Sequence, residues 1–87
     1  MRPRAAVVAT GSELVRGERQ DTNGPFLARE ALSLGLDPTR IVLVGDDPDE
    51  LRTALEAALD VDLCFNSGGL GSPAVFFATA KGIRPAR

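Results

Sequence analysis

Three short apolar runs, each closed by a glycine or a glycine-rich turn and separated by stretches of helical spacing, restrict this chain more than any other feature. Ala5-Ala6-Val7-Val8-Ala9-Thr10 runs into Gly11, Ile41-Val42-Leu43-Val44 runs into Gly45, and Val61 to Phe65 leads into Asn66-Ser67-Gly68-Gly69-Leu70-Gly71. Continuous apolar runs of this length read as strands buried on both faces. Between the first two, residues 25–34 carry Leu27, Ala28, Ala31, Leu32 and Leu34 on or near one helical face. Asn23 or Gly24 suits the start of that helix, Pro25 its first turn and Gly35 its stop. Between the second and third, Asp47 is a good N-cap, Pro48 fits the first helical position, and Glu50 follows three residues after the cap. Leu51, Ala54, Leu55, Ala58 and Leu59 then make one apolar stripe.

The order β-α-β-α-β with buried strands calls for an α/β fold: a parallel sheet with helices on both faces, a three-layer α/β/α arrangement. Right-handed crossovers leave few topologies. A 2-1-3 strand order would open the Thr10-Gly11 and Gly68–Gly71 loops side by side at the carboxyl edge, where open α/β sheets bind ligands.

Composition excludes several classes of function. At 87 residues there is room for one small domain. Ten basic against twelve acidic residues argue against a nucleic-acid footprint, and no apolar run approaches the length of a membrane span. The absence of histidine removes His-based triads and the usual zinc sites. The single cysteine, Cys64, cannot form an internal disulfide and sits in an apolar strand, as expected of a small core residue in a reducing cytoplasm.

Candidate ligand groups gather at the two loops. The Gly68, Gly69 and Gly71 backbone could approach a phosphate or a pterin ring, or simply make a tight turn, and Ser67 would add a hydroxyl beside the same ligand or serve as a plain loop residue. Thr10, Gly11 and Ser12 leave the first strand in the same manner. Glu13 is the nearest acid from that side, able to orient a metal or accept from a ligand N–H, or to be a solvated loop carboxylate. Asp21 could join a Mg²⁺ site completed by waters and phosphates, while Thr22 or Asn23 caps the helix. Asp47 is accounted for by capping; Asp46 is left without an assigned role.

Taken in order, Thr10-Gly11-Ser12-Glu13-Leu14, Gly17 with Asp21-Thr22-Asn23, Val44-Gly45-Asp46-Asp47 and Ser67-Gly68-Gly69-Leu70-Gly71 resemble the N-terminal domain of CinA-like (competence/damage-inducible protein A) proteins, within the MoaB/Mog molybdopterin-binding family. The resemblance covers residues 5–71 and implies the first β-α-β-α-β portion of a MoaB/Mog-like fold. It implies a phosphate-bearing small-molecule ligand, a molybdopterin or a nucleotide, lined by Thr10, Gly11, Ser12, Ser67, Gly68, Gly69 and Gly71, with Glu13 and Asp21 proximal to Mg²⁺. For CinA-like relatives it implies hydrolysis of nucleotide pyrophosphates such as ADP-ribose, and self-association into a homo-oligomer.

The pattern departs after Gly71. CinA-like proteins continue with a proline, a threonine and, after one residue, paired aspartates; here Ser72-Pro73-Ala74-Val75-Phe76-Phe77 follows. Through Gly71 the chain holds seven basic and twelve acidic residues, whereas residues 72–87 hold Lys81, Arg84 and Arg87 with no acid. The expectation is a non-family tail over 72–87, from out-of-frame or rearranged coding sequence, with no convincing helical or strand period and at most a short strand or helical turn around Ala74–Ala80. Catalytic competence is then not expected, and a non-catalytic binding module or an inactive fragment are the alternatives.

Overall fold

A computed structural model of the protein describes residues 2–67 in full, together with the backbone of residues 74–79 and 82–85. Strands β1 (Arg4–Thr10), β2 (Asp37–Val44), β3 (Leu63–Ser67), β4 (Ala74–Thr79) and β5 (Gly82–Pro85) form one sheet in the order β2-β1-β3-β4-β5. Helices α1 (Ser12–Val15), α2 (Asn23–Ser33) and α3 (Pro48–Ala57) complete it. The first three strands take the 2-1-3 order, one of the few topologies left open by the sequence, with both β1–β2 and β1–β3 parallel.

β1 is paired on both sides, with β2 and β3, and every residue from Ala5 to Thr10 is buried. Its side chains alternate between the faces, as a strand requires. Ala5 and Val7 pack with Leu27, Ala31, Leu36 and Phe65 on the α2 side; Ala6 and Val8 pack with Ala58, Val61 and Cys64 on the α3 side. Two helical layers on one sheet follow directly from that alternation. Burial in the second layer pushes the Cys64 thiol up to about 11, which suits a core residue rather than a nucleophile.

The helix ends follow local chemistry. The Asp47 side chain accepts from the Asp49 N–H at 3.1 Å, with Pro48 at the first helical position. Asp47→Ala is expected to cost about 1 kcal/mol, read as a lower urea midpoint with an unchanged slope. Gly35, at φ +86°, ends α2: its N–H donates to the Leu32 carbonyl and the Leu36 N–H to that of Ala31, at 3.0 and 2.9 Å. That pairing, with Leu36 and Ala31 both in the core, is a Schellman stop.

The start of α2 differs from expectation. Thr22 is its N-cap residue but makes no side-chain cap bond; the Asp21 carboxylate instead accepts from the N–H groups of Asn23 and Gly24. A Cβ on Gly24 would fall onto that carboxylate and against Ile41, so glycine is needed there for close packing. The apolar stripe is also narrower than read: Leu27 and Ala31 are buried, while Leu32 and Leu34 are 49% and 72% exposed.

Two strand expectations are corrected. β2 is an edge strand rather than a fully buried one, and Ile41 and Leu43 are each 44% exposed. The sheet is parallel only through β2-β1-β3; β4 and β5 continue it antiparallel, so residues 74–79 take the strand alternative and 82–85 add a strand not foreseen.

At the amino edge, opposite the strand ends that lead into Gly11 and Gly45, Arg4, Arg40, Asp60 and Asp62 clamp the strand starts. The Arg4 N–H and guanidinium donate to the Asp62 carboxylate and the Asp60 carbonyl, and Arg40 reaches the Asp60 carboxylate at 2.8 Å. The Arg40 hydrogen bond holds the Asp60 carboxyl below its ordinary value. Among the described residues no helix is long and apolar enough to cross a membrane.

Candidate functional site

The carboxyl ends of β1, β2 and β3 converge because their registers end together: Thr10 lies beside Val44, and Ala9 beside Ser67. Thr10 is buried, and its hydroxyl donates to the Ser67 carbonyl at 2.9 Å. Ser67 is itself buried. Of the residues expected at the site, the structure thus joins Thr10 to Ser67 across the β1–β3 pair. Gly68, Gly69 and Gly71 lie outside the described residues.

Gly11 is buried, at φ +156°, and its N–H donates to the Val44 carbonyl at 2.9 Å, pinning the loop to β2. Its carbonyl accepts from the Leu14 and Val15 N–H groups, which starts α1, a four-residue helix too short to leave a period in the sequence. Ser12 follows, and both its N–H and its hydroxyl donate to Asp46 Oδ2, at 3.3 and 3.1 Å. Asp46, given no role from sequence, therefore ties the start of α1 to the end of β2. A position directly after a strand end was the available signal; its partner 34 residues upstream was not.

Glu50, on the first turn of α3, completes this corner. A Cβ on Gly45 would come within 3.0 Å of Glu50 Oε2 and 3.9 Å of Ser12 Oγ. The β1–β2 side of the edge is accordingly rich in acceptors: the Asp46 and Glu50 carboxylates and the lone pairs of Ser12 Oγ, whose one proton is already given to Asp46.

A shallow groove of about 520 Å³ adjoins it, between α1, β2 and α3, lined by Val15, Leu43, Gly45, Glu50, Thr53 and Ala54 among others. Sequence reasoning missed it, because these residues share no motif and meet only through the fold.

Mg²⁺ needs one or two carboxylates plus waters and ligand phosphate oxygens. The Glu13 carboxylate lies near Gly11, on the edge itself. Asp21 is engaged with the first N–H groups of α2. Among the described residues no three His, Cys, Asp or Glu side chains gather into a group able to hold a metal ion.

Comparisons with known proteins bear on this edge. The family described as "Probable molybdopterin binding domain" matches residues 6–74. A CinA-like protein of Mycolicibacterium gilvum is 45% identical over 76 residues, covering 85% of this chain and 18% of the relative. One from Chlorobaculum tepidum is 41% identical over 69 residues, covering 78% and 16%. The crystal structure of CinA from Thermoplasma acidophilum, a protein described as of unknown function, superposes with a TM-score of 0.75 at 37% identity, covering 80% of this chain and 42% of that one. The chain thus spans less than a fifth of the two curated relatives' length.

Proposed function

This chain belongs to the probable molybdopterin binding domain family, in the form carried by CinA-like proteins, and we propose that it binds a phosphate-bearing small molecule at the carboxyl edge between β1 and β3. The observation that carries the reading is the Thr10–Ser67 hydrogen bond, which ties together the carboxyl ends of β1 and β3. Ligands of open α/β sheets bind at such edges.

In this proposal the ligand is a molybdopterin or a nucleotide, lined by Thr10, Gly11, Ser12, Ser67, Gly68, Gly69 and Gly71. Glu13, whose carboxylate lies near Gly11, would face a Mg²⁺ bound with the phosphates, and Asp21 would join it only by releasing the α2 amides. When bound, such an ion would neutralise phosphate charge. The chain's own contribution is to orient the ligand, through the Thr10 clamp and the Ser12–Asp46 tether.

The proposal is for binding without turnover, in the cytoplasm. Pyrophosphate hydrolysis depends on charge held near the phosphates. Val75 and Phe76 stand where CinA-like proteins carry their paired aspartates after the glycine loop, and residues 72–87 contain no acid.

Calorimetric titration of the chain with ADP-ribose in Mg²⁺ tests both parts, with released AMP followed in parallel. Saturable heat without AMP is expected, and Thr10→Ala should weaken the binding by about tenfold, the worth of one well-placed hydrogen bond. Flat heats from a chain that is folded by circular dichroism would remove the binding reading. AMP release would remove the claim of no turnover.

A further inference from the structure

Asn66 lies on β3 opposite Val8 and two residues after Cys64, so it shares their face, the α3 side of the sheet. Its Oδ1 is buried and, among the described residues, has no hydrogen-bond partner. Buried carbonyl oxygens are nearly always paired, because an unpaired one has given up water and gained nothing. This orphan stands next in sequence to Ser67, whose carbonyl is held by Thr10 at the ligand edge.

Across β1, the end of β2 presents other acceptors. Ser12 has committed its hydroxyl proton to Asp46 and keeps only lone pairs to offer, and the Glu50 carboxylate closes the corner beside Gly45. A phosphate placed there would meet carboxylates and carbonyl oxygens, all of its own electrostatic sign. An N–H or O–H donor would meet partners.

We infer that Asn66 is a specificity-determining residue: its Oδ1 accepts a hydrogen bond from an N–H or O–H donor on the non-phosphate part of the ligand. The inference rests on the binding site proposed above and gives that site a polarity, with the ligand's donor-bearing ring or sugar turned to the α3 side. The donor chemistry is shared by a pterin ring, through its N–H and amino groups, and by a nucleoside, through its amino group and ribose hydroxyls.

Asn66→Val removes the orphan acceptor while keeping a side chain suited to a strand. The ligand-free variant should melt about 4–8 °C higher than the parent, because a buried unsatisfied group is gone. Pterin and adenosine, titrated separately, and inorganic pyrophosphate serve as probes. Affinity for pterin, for adenosine or for both should fall by about tenfold or more, with pyrophosphate affinity unchanged. A loss confined to pterin assigns the donor to a ring N–H or amine of that kind; one confined to adenosine assigns it to the nucleoside. Asn66→Asp keeps an acceptor and should retain the binding, which separates loss of the acceptor from damage to the strand. Parent-like affinity of Asn66→Val for the probes that the parent binds would overturn the inference alone, as would a loss confined to pyrophosphate. Failure of the parent chain to bind any of the three probes would overturn the proposed site, and this inference with it.

Discussion

Phe65→Ala is expected to remove a large share of the stability of this chain. Phe65 is buried in the layer between β1 and α2, where its neighbours are Ala5, Val7, Leu27, Ala31 and Leu36. Two of those five are alanines, so the phenyl ring supplies much of the bulk that α2 packs against. Truncating a buried phenylalanine typically costs about 3–5 kcal/mol, through lost transfer energy and the cavity left behind. A chain of this length has a total stability of roughly 4–13 kcal/mol. The variant should therefore unfold at far lower urea concentration, and fail to fold at all if the parent lies at the low end. Phe26→Ala provides the contrast, since Phe26 is 49% exposed and its loss should shift the midpoint little. Far-ultraviolet circular dichroism across a urea series reads both, because there is no tryptophan or tyrosine to follow by fluorescence. Equal midpoints for the two variants would mean that α2 does not close over β3 as described.

The elements legible in the sequence were those whose signal is local. α3 announces itself through Asp47, Pro48 and a full apolar stripe, and the residues of that stripe all reach the core layer on its side. β1 could be read from its unbroken apolar run, and right-handed crossovers narrowed the strand order to a few topologies that include the one observed. What stayed hidden depends on neighbours. Exposure of Ile41 and Leu43 follows from the edge position of β2, and a β-branched run looks the same at an edge as at the centre. Asp37 to Arg40 extend β2 with no apolar run to announce it, across a register shift between Ala5 and Ala6, and Pro38 is tolerated there because β2 is an edge strand. β5 is four residues with an arginine and a proline, and only the facing strand β4 makes it a strand.

The candidate site divides along the same line. Thr10, Gly11 and Ser12 could be named because glycine and hydroxyl residues directly after a strand are a local pattern. The roles of Asp46 and Asn66 could not, since one depends on a partner far upstream in the chain and the other on which face of β3 it occupies. Asp21 shows a further ambiguity: a carboxylate two residues before a helix reads equally as a cap or as a ligand, and here it bonds the helix amides.

Gly11→Val should separate the architecture of this edge from general stability. At φ +156° Gly11 holds a backbone conformation that a β-branched residue adopts only with strain. The space itself is not the obstacle, because the nearest atom to an added Cβ is Glu13 Oε1 at 2.9 Å, the far end of a flexible side chain. The strain should cost about 1–3 kcal/mol if the loop keeps its shape. It can be relieved only by rotating the peptide between β1 and α1, which loosens the Gly11 bond to Val44 and draws Ser12 away from Asp46. Binding is expected to suffer more than folding on that account: ADP-ribose affinity should fall by about tenfold or more, while the melt remains cooperative. Gly17→Ala is the control. Gly17 also has a positive φ, +76°, but nothing lies within 4 Å of an added Cβ, and it follows α1 rather than preceding it. It should cost about 1 kcal/mol of stability and leave the affinity as it was. If Gly11→Val binds as the parent does, the loop after β1 takes no part in holding the ligand, and the site must be carried by the β3 side alone.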